Sequence, residues 1–212
     1  MRKIDLDSWD RKEHYEFFKS SDYAQYNIGM DIDITDFKRR TKEQGLPFSF
    51  AMPYVAAAAM NEIEAFRYRS RDGEVILHDL IHPSITYIAP GEKYFKIVNI
   101  DLEDTIEAFV SKAQKLVKEQ KEYFPFTKGT KRDDLIFISS IPKISFTHLT
   151  HTITLNKDDA VPRISWGKYY EKDNRILLPF NMQVNHMFVD GDHLGKYVEL
   201  LQEYLDRNNW SG

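Results

Sequence analysis

The chain has 212 residues, 42% of them hydrophobic and 29% charged, enough to bury a sizeable core as one domain spanning 1–212. A net charge of −4 and a sequence pI of about 6.0 give no electrostatic footprint for nucleic acid. Cysteine is absent, which excludes a disulfide framework and thiolate metal ligation. "MRKIDLDSWDRKEH" lacks the apolar centre of a signal peptide, and no apolar run reaches membrane-spanning length. A cytoplasmic enzyme or binding domain with no membrane partner is expected.

In chain order, "SWDRKEHYEFFKSS" predicts a first helix with Ser8 as its N-cap. "YAQYNIGMDID" predicts a strand, and "ITDFKRRTKEQG" a short charged helix ended by Gly45 in the left-handed conformation. "PFSFAMPYVAAAAMNEIEAF" reads as the most apolar helix, beginning near Pro53. Asp72-Gly73 between two strand-like runs signals a hairpin. "SITYIA" and "KYFKIVNID" give further strands. In the long amphipathic helix that follows, Ile106, Phe109, Val110 and Ala113 form one stripe. Four strands then follow, "LIFISS", "KISFTHLTHTITL", "PRISWGKYY" and "RILLPFNMQVNH", the last two joined across "EKDN". Without βαβ regularity, this order predicts an α+β fold, a two-layer sandwich on a mixed, largely antiparallel sheet.

"QVNHMFVDGDHLGKYVELLQEYL" (183–205) carries the richest chemistry. Strand alternation puts Phe180, Met182, Val184 and His186 on one face and Asn181, Gln183 and Asn185 on the other. Leu194, Tyr197, Val198, Leu201 and Leu205 then follow helical spacing, so a last helix starts near Gly191. His186 at a strand's end suits a general base. On spacing alone the plainer reading has the larger share: a hydrogen-bonded core histidine, with Asp190 as a helix cap. A metal site from His186, Asp190, Asp192 and His193 has no recurrent ligand spacing behind it, and the GxSxG elbow of a serine hydrolase is missing.

The same segment resembles the C-terminal signature of the chloramphenicol acetyltransferases, a histidine followed after three residues by Asp-Gly and a further His. "SWDRKEHYEFF", "MDIDITDF", "DGEVILHDLIHPSITY", "FISSIPKISF" and "SWGKYYEKDNRILLPFNMQV" resemble other segments of that family in the same order. The resemblance implies an acetyl-CoA-dependent O-acetyltransferase acting on chloramphenicol or a related small hydroxyl acceptor. His186 would be the general base, with no acyl-enzyme and no bound cofactor, acetyl-CoA being a co-substrate. It implies further that Arg11 pairs with Asp190 to hold the turn. Ser139 would bind the oxyanion, and Ser165, where the family has threonine, would orient water beside it. Lys168 would meet coenzyme phosphate and Tyr169 would stack on adenine. A homotrimer with active sites between subunits is implied as well.

Some positions depart from the family. Asn185 replaces the first of a usual histidine pair, Lys143 replaces a tryptophan near the coenzyme, and Pro47 stands where some members are basic. In the acceptor pocket Phe18, Tyr26 and Phe95 still offer aromatic walls, but His151 and Arg163 replace aliphatic residues. An arginine there is expected to face solvent or to await a polar or anionic acceptor, so poorer handling of chloramphenicol is expected. Three rivals stay open: a transferase for a more polar acceptor, an acyltransferase core of a 2-oxoacid dehydrogenase complex (no lipoyl segment is seen), and a non-catalytic trimeric binding module.

Overall fold

The computed structural model describes residues 1–125, 132–152, 156–207 and 210. Its strands and helices are β1 (Arg2–Lys3), α1 (Lys12–Lys19), β2 (Gln25–Asp33), α2 (Thr35–Glu43), α3 (Phe48–Asn61), β3 (Tyr68–Arg71), β4 (Glu74–Leu77), β5 (His82–Tyr87), β6 (Lys96–Asn99), α4 (Ile106–Glu119), β7 (Leu135–Ser140), β8 (Arg163–Trp166), β9 (Tyr170–Lys172), β10 (Arg175–Asn185) and α5 (Gly191–Asp206). The main sheet runs β2-β10-β8-β7-β5-β6, with β9 paired to β10, and a small sheet runs β1-β4-β3. Among the described residues of the main sheet, only β5–β7 and β7–β8 are parallel. This is the expected α+β sandwich on a mixed, largely antiparallel sheet.

One face of that sheet is apolar and meets the helices. Ile85, Val98, Ile136, Ile138, Ile164, Phe180, Met182 and Val184 are buried in the core with α3, α4 and α5. α3 packs against both α4 and α5, and ten of its fourteen residues are buried, which explains its uniformly apolar sequence. It begins at Phe48 and carries Pro53 inside, not at its start. A proline there forfeits one backbone hydrogen bond, at a cost of about 3 kcal/mol. Phe50, Ala51 and Met52 are nearly inaccessible on the first turns, and each large apolar side chain so buried contributes about 1.5–3 kcal/mol. Burial wins.

Two hairpins follow from their turn residues. Asp72 and Gly73 (φ 50° and 87°) join β3 to β4, and Asp173 and Asn174 (φ 51° and 62°) join β9 to β10. Paired positive φ values match the right-handed strand twist. Ser8 does not cap α1: its hydroxyl donates to Asp5, and α1 starts after Arg11 without a side-chain cap.

The opposite face is polar. Register aligns Ser139 with Ser165 and Ser165 with Asn181, while Arg163 lies opposite Gln183. The segment between β7 and β8 covers part of this face and is not a strand through its described residues, contrary to the pattern of "KISFTHLTHTITL"; residues 153–155 lie outside the described chain. Side-chain amides of β10 hold it instead of a ladder. Leu149 N–H donates to Asn181 Oδ1 and His151 N–H to Gln183 Oε1. The covering segment comes so close that a Cβ on Gly29 of β2 would sit 2.2 Å from the Thr147 carbonyl oxygen.

Candidate active site

β10 hands over to α5 through the turn 186–190. The His186 N–H extends the β2 pairing by donating to the Ala24 carbonyl at 2.8 Å. Its ring stacks on Phe18 of α1, with centroids 4.0 Å and planes 9° apart, and lies tilted against Tyr26 at 4.7 Å. Two aromatic neighbours fix the imidazole plane. Tyr26 donates to the Val189 carbonyl, and burial together with the Asp190 charge pushes its hydroxyl pKa up to about 12.

Arg11 grips this turn at three points. Nη1 donates to Asp190 Oδ2 at 2.8 Å, Nε to the Met187 carbonyl at 3.0 Å and Nη2 to the His186 carbonyl at 3.4 Å. Asp190 also caps α5: its carboxylate accepts from the His193 N–H, and His193 Nδ1 accepts from the Asp190 N–H. Burial raises the Asp190 pKa, but the Arg11 hydrogen bond, the His193 backbone N–H that the carboxylate accepts and the nearby Arg11 charge outweigh it and hold the carboxyl below its usual range. Asn185 points away from the ring. Its amide donates to the Asp159 carbonyl and accepts from the Met187 N–H.

A second cluster lies on the polar face, in an open cleft of about 340 Å³ whose lining includes Ser84, Thr86, Phe95, Ser139, His151 and Arg163. Thr86 donates to Ser139 Oγ at 3.3 Å, which leaves the Ser139 proton for another acceptor. Ser165 is fully buried and does not line the cleft; its Oγ lies 3.1 Å from His151 Nε2. Burial, and then the Arg163 charge, lower the His151 pKa, so its imidazole is neutral at neutral pH.

Arg163 neither turns to solvent nor lacks a partner. Nη2 is 2.6 Å from Asp159 Oδ2, with side chains only 8% and 13% exposed, and Nη1 donates to the Val161 carbonyl and to Gln25 Oε1. Gln25 also accepts from Gln183 Nε2 and donates to the Asp159 carbonyl. Asp159, Gln25 and Gln183 escaped the sequence reading because they form one group only across β2, β10 and the chain before β8.

Lys168 and Tyr169 lie between β8 and β9. The Lys168 N–H donates to the Ile144 carbonyl at 2.7 Å, and the half-exposed Tyr169 ring carries Lys38 Nζ 4.1 Å from its centroid. Lys143 is exposed and Pro47 precedes α3.

The chain keeps the two clusters apart. Asn181 is level with Ser165 and Ser139, and His186 lies five residues beyond it, about 17 Å at the usual rise and about 10 Å across two strand spacings. Phe18, Tyr26 and His186 sit together at that end, whereas Phe95, Ser139, His151 and Arg163 share the cleft.

Comparison with known proteins gives a consistent result. The chloramphenicol acetyltransferase family profile matches residues 1–202. A chloramphenicol acetyltransferase of Klebsiella sp is 31% identical, covering 99% of this chain and 94% of its own, and one of Haemophilus influenzae is 28% identical with 96% of each covered. A solved chloramphenicol acetyltransferase superposes with a TM-score of 0.88 at 26% identity, over 97% of this chain and all of its own. A dihydrolipoamide acetyltransferase of Azotobacter vinelandii shares the fold at TM-score 0.64 and 15% identity, over 85% of this chain and 81% of its own.

Proposed function

The chain belongs to the chloramphenicol acetyltransferase family, and on that premise we propose that it transfers the acetyl group of acetyl-CoA to a hydroxyl of chloramphenicol or a related small acceptor. The observation that carries this reading is the held turn: His186 is clamped between Phe18 and Tyr26, and Arg11 grips the backbone on either side of it. Neutral His186 takes the acceptor's hydroxyl proton while the oxygen attacks the thioester carbonyl. Ser139 donates to the oxyanion, a contact commonly worth about 2.7–4 kcal/mol. The intermediate collapses with cleavage of the C–S bond, and His186 returns the proton to the departing thiolate. Lys168 and Tyr169 hold the coenzyme, and Ser165 stands behind His151, its Oγ 3.1 Å from the imidazole Nε2.

A base and an oxyanion donor so far apart in one chain cannot serve one carbonyl. A second copy supplies the missing half, so that His186 with Phe18 and Tyr26 of one protomer faces the Ser139 cleft of its neighbour. Repeated head-to-tail, such a contact closes as a ring, and the family resemblance implies that the ring is a homotrimer. Thiol release from acetyl-CoA in the presence of chloramphenicol, with sedimentation of the same sample, tests both parts. No acceptor-dependent thiol, or an active monomer, overturns them respectively.

A transferase for a more polar acceptor is the second reading, favoured by Ser84, Thr86 and His151 in the cleft. An anionic acceptor is disfavoured, because Asp159 already neutralises Arg163. A panel of neutral and anionic alcohols in the same thiol assay separates these.

A further inference from the structure

Ser165 is hidden and His151 is not. The serine is fully buried and absent from the cleft wall, while the histidine lines the cleft and its Nε2 contacts Ser165 Oγ at 3.1 Å. We propose that His151, and not Ser165, is the polar group the acceptor meets on this wall, with Ser165 a positioning residue that acts only through the imidazole. This rests on the acetyl-transfer reading of the cleft.

Three features support the assignment. The backbone under His151 is anchored, its N–H donating to Gln183 Oε1 at 3.0 Å, so the side chain starts from a fixed point although no strand carries it. The ring's distal nitrogen is held by Ser165, which selects one orientation of a side chain otherwise free in χ2. The imidazole is neutral, since burial and the Arg163 guanidinium, itself paired with Asp159, both oppose its protonation. With Nε2 engaged by Ser165, Nδ1 is left as the one hydrogen-bonding atom of a neutral imidazole, a match for an uncharged hydroxyl or amide on the acceptor. The specificity expected is for neutral, hydrogen-bonding acceptors such as chloramphenicol.

The test is a double-mutant cycle on acceptor kcat/KM, read by thiol release with chloramphenicol and acetyl-CoA. His151→Leu is expected to lower acceptor kcat/KM about tenfold, as for loss of one neutral hydrogen bond, with the acetyl-CoA KM within about twofold of wild type. Ser165→Ala is expected to act in the same direction, and its effect vanishes in the His151→Leu background. His151→Gln, which keeps a polar head, recovers to within about threefold. The proposal is overturned if His151→Leu leaves acceptor kcat/KM unchanged, or if the Ser165→Ala loss persists in full beside His151→Leu. Wild type that releases no thiol with chloramphenicol defeats the acetyl-transfer reading instead. The wall contact is then decided by imidazole NMR: the His151 resonances must move on adding chloramphenicol and on Ser165→Ala, and stationary resonances overturn it.

Discussion

Arg163 and Asp159 form a buried ion pair, Nη2 to Oδ2 2.6 Å, across the three residues that lead into β8. The pair changes what a substitution at this wall does. Replacing arginine with an aliphatic residue to suit an apolar acceptor is attractive from sequence, but it strands a carboxylate that is 13% exposed. Arg163→Ile is expected to cost about 3–5 kcal/mol, the usual penalty for removing one partner of a buried pair. Arg163→Ile with Asp159→Leu is expected to recover most of it. Denaturant unfolding at fixed protein concentration measures both, and equal stability of Arg163→Ile and wild type would refute the pairing argument.

His186→Ala is expected to lower turnover by about 10²–10⁴-fold, the range for loss of a positioned base, while coenzyme affinity stays unchanged. Phe18→Leu removes the stacked face but no reacting group, and is expected to reduce kcat by a smaller factor with the same pH profile. Steady-state kinetics decide, and a His186→Ala enzyme with a tenth of wild-type activity rules the base out.

Arg11→Ala is expected to cost about 1–3 kcal/mol at neutral pH, typical of losing charge-assisted hydrogen bonds at a partly exposed site. Asp190 has a depressed folded-state pKa. Its contribution is therefore present above the unfolded value of about 3.9 and fades as pH falls through the folded one. The stability gap between Arg11→Ala and wild type should accordingly be constant from pH 5 to 8 and shrink below about pH 4. A gap that widens in acid would contradict the sign.

Gly29→Ala tests how the covering segment lies on the sheet. The added methyl would meet the Thr147 carbonyl at 2.2 Å, a clash with backbone that a rotamer change cannot relieve. About 1–3 kcal/mol of destabilisation is expected, as for other overpacked sites. Activity should fall as well, since residues 149 and 151 of the same segment are tethered to β10. Unchanged melting and kinetics would mean that the segment moves aside freely.

Much of the architecture was legible because its causes are local. The Asp72-Gly73 and Asp173-Asn174 turns have residues that tolerate positive φ, the stripe of α4 repeats at helical spacing, and α5 starts at Gly191 behind Asp190. Local rules failed where burial overrode them. Pro53 marks a helix start by propensity, yet α3 runs through it because its first turns fill the core. The alternation in 143–155 reads as a strand, yet its described residues bond to side-chain amides of β10.

By itself the sequence determined which residues are chemically capable and where they fall on each element: the parity of β10, His186 at its end, Asp190 opening α5. Only tertiary structure decided which groups meet. Asp159 beside Arg163, His151 over Ser165, and Arg11 on the carbonyls of 186 and 187 are contacts between segments 4 to 176 residues apart. Short-range periodicity encodes a residue's face and carries no information about its partner, which is set by how β2, β8, β10 and α1 pack. The same packing puts His186 and Ser139 at different ends of the sheet, a separation no single-segment pattern can express.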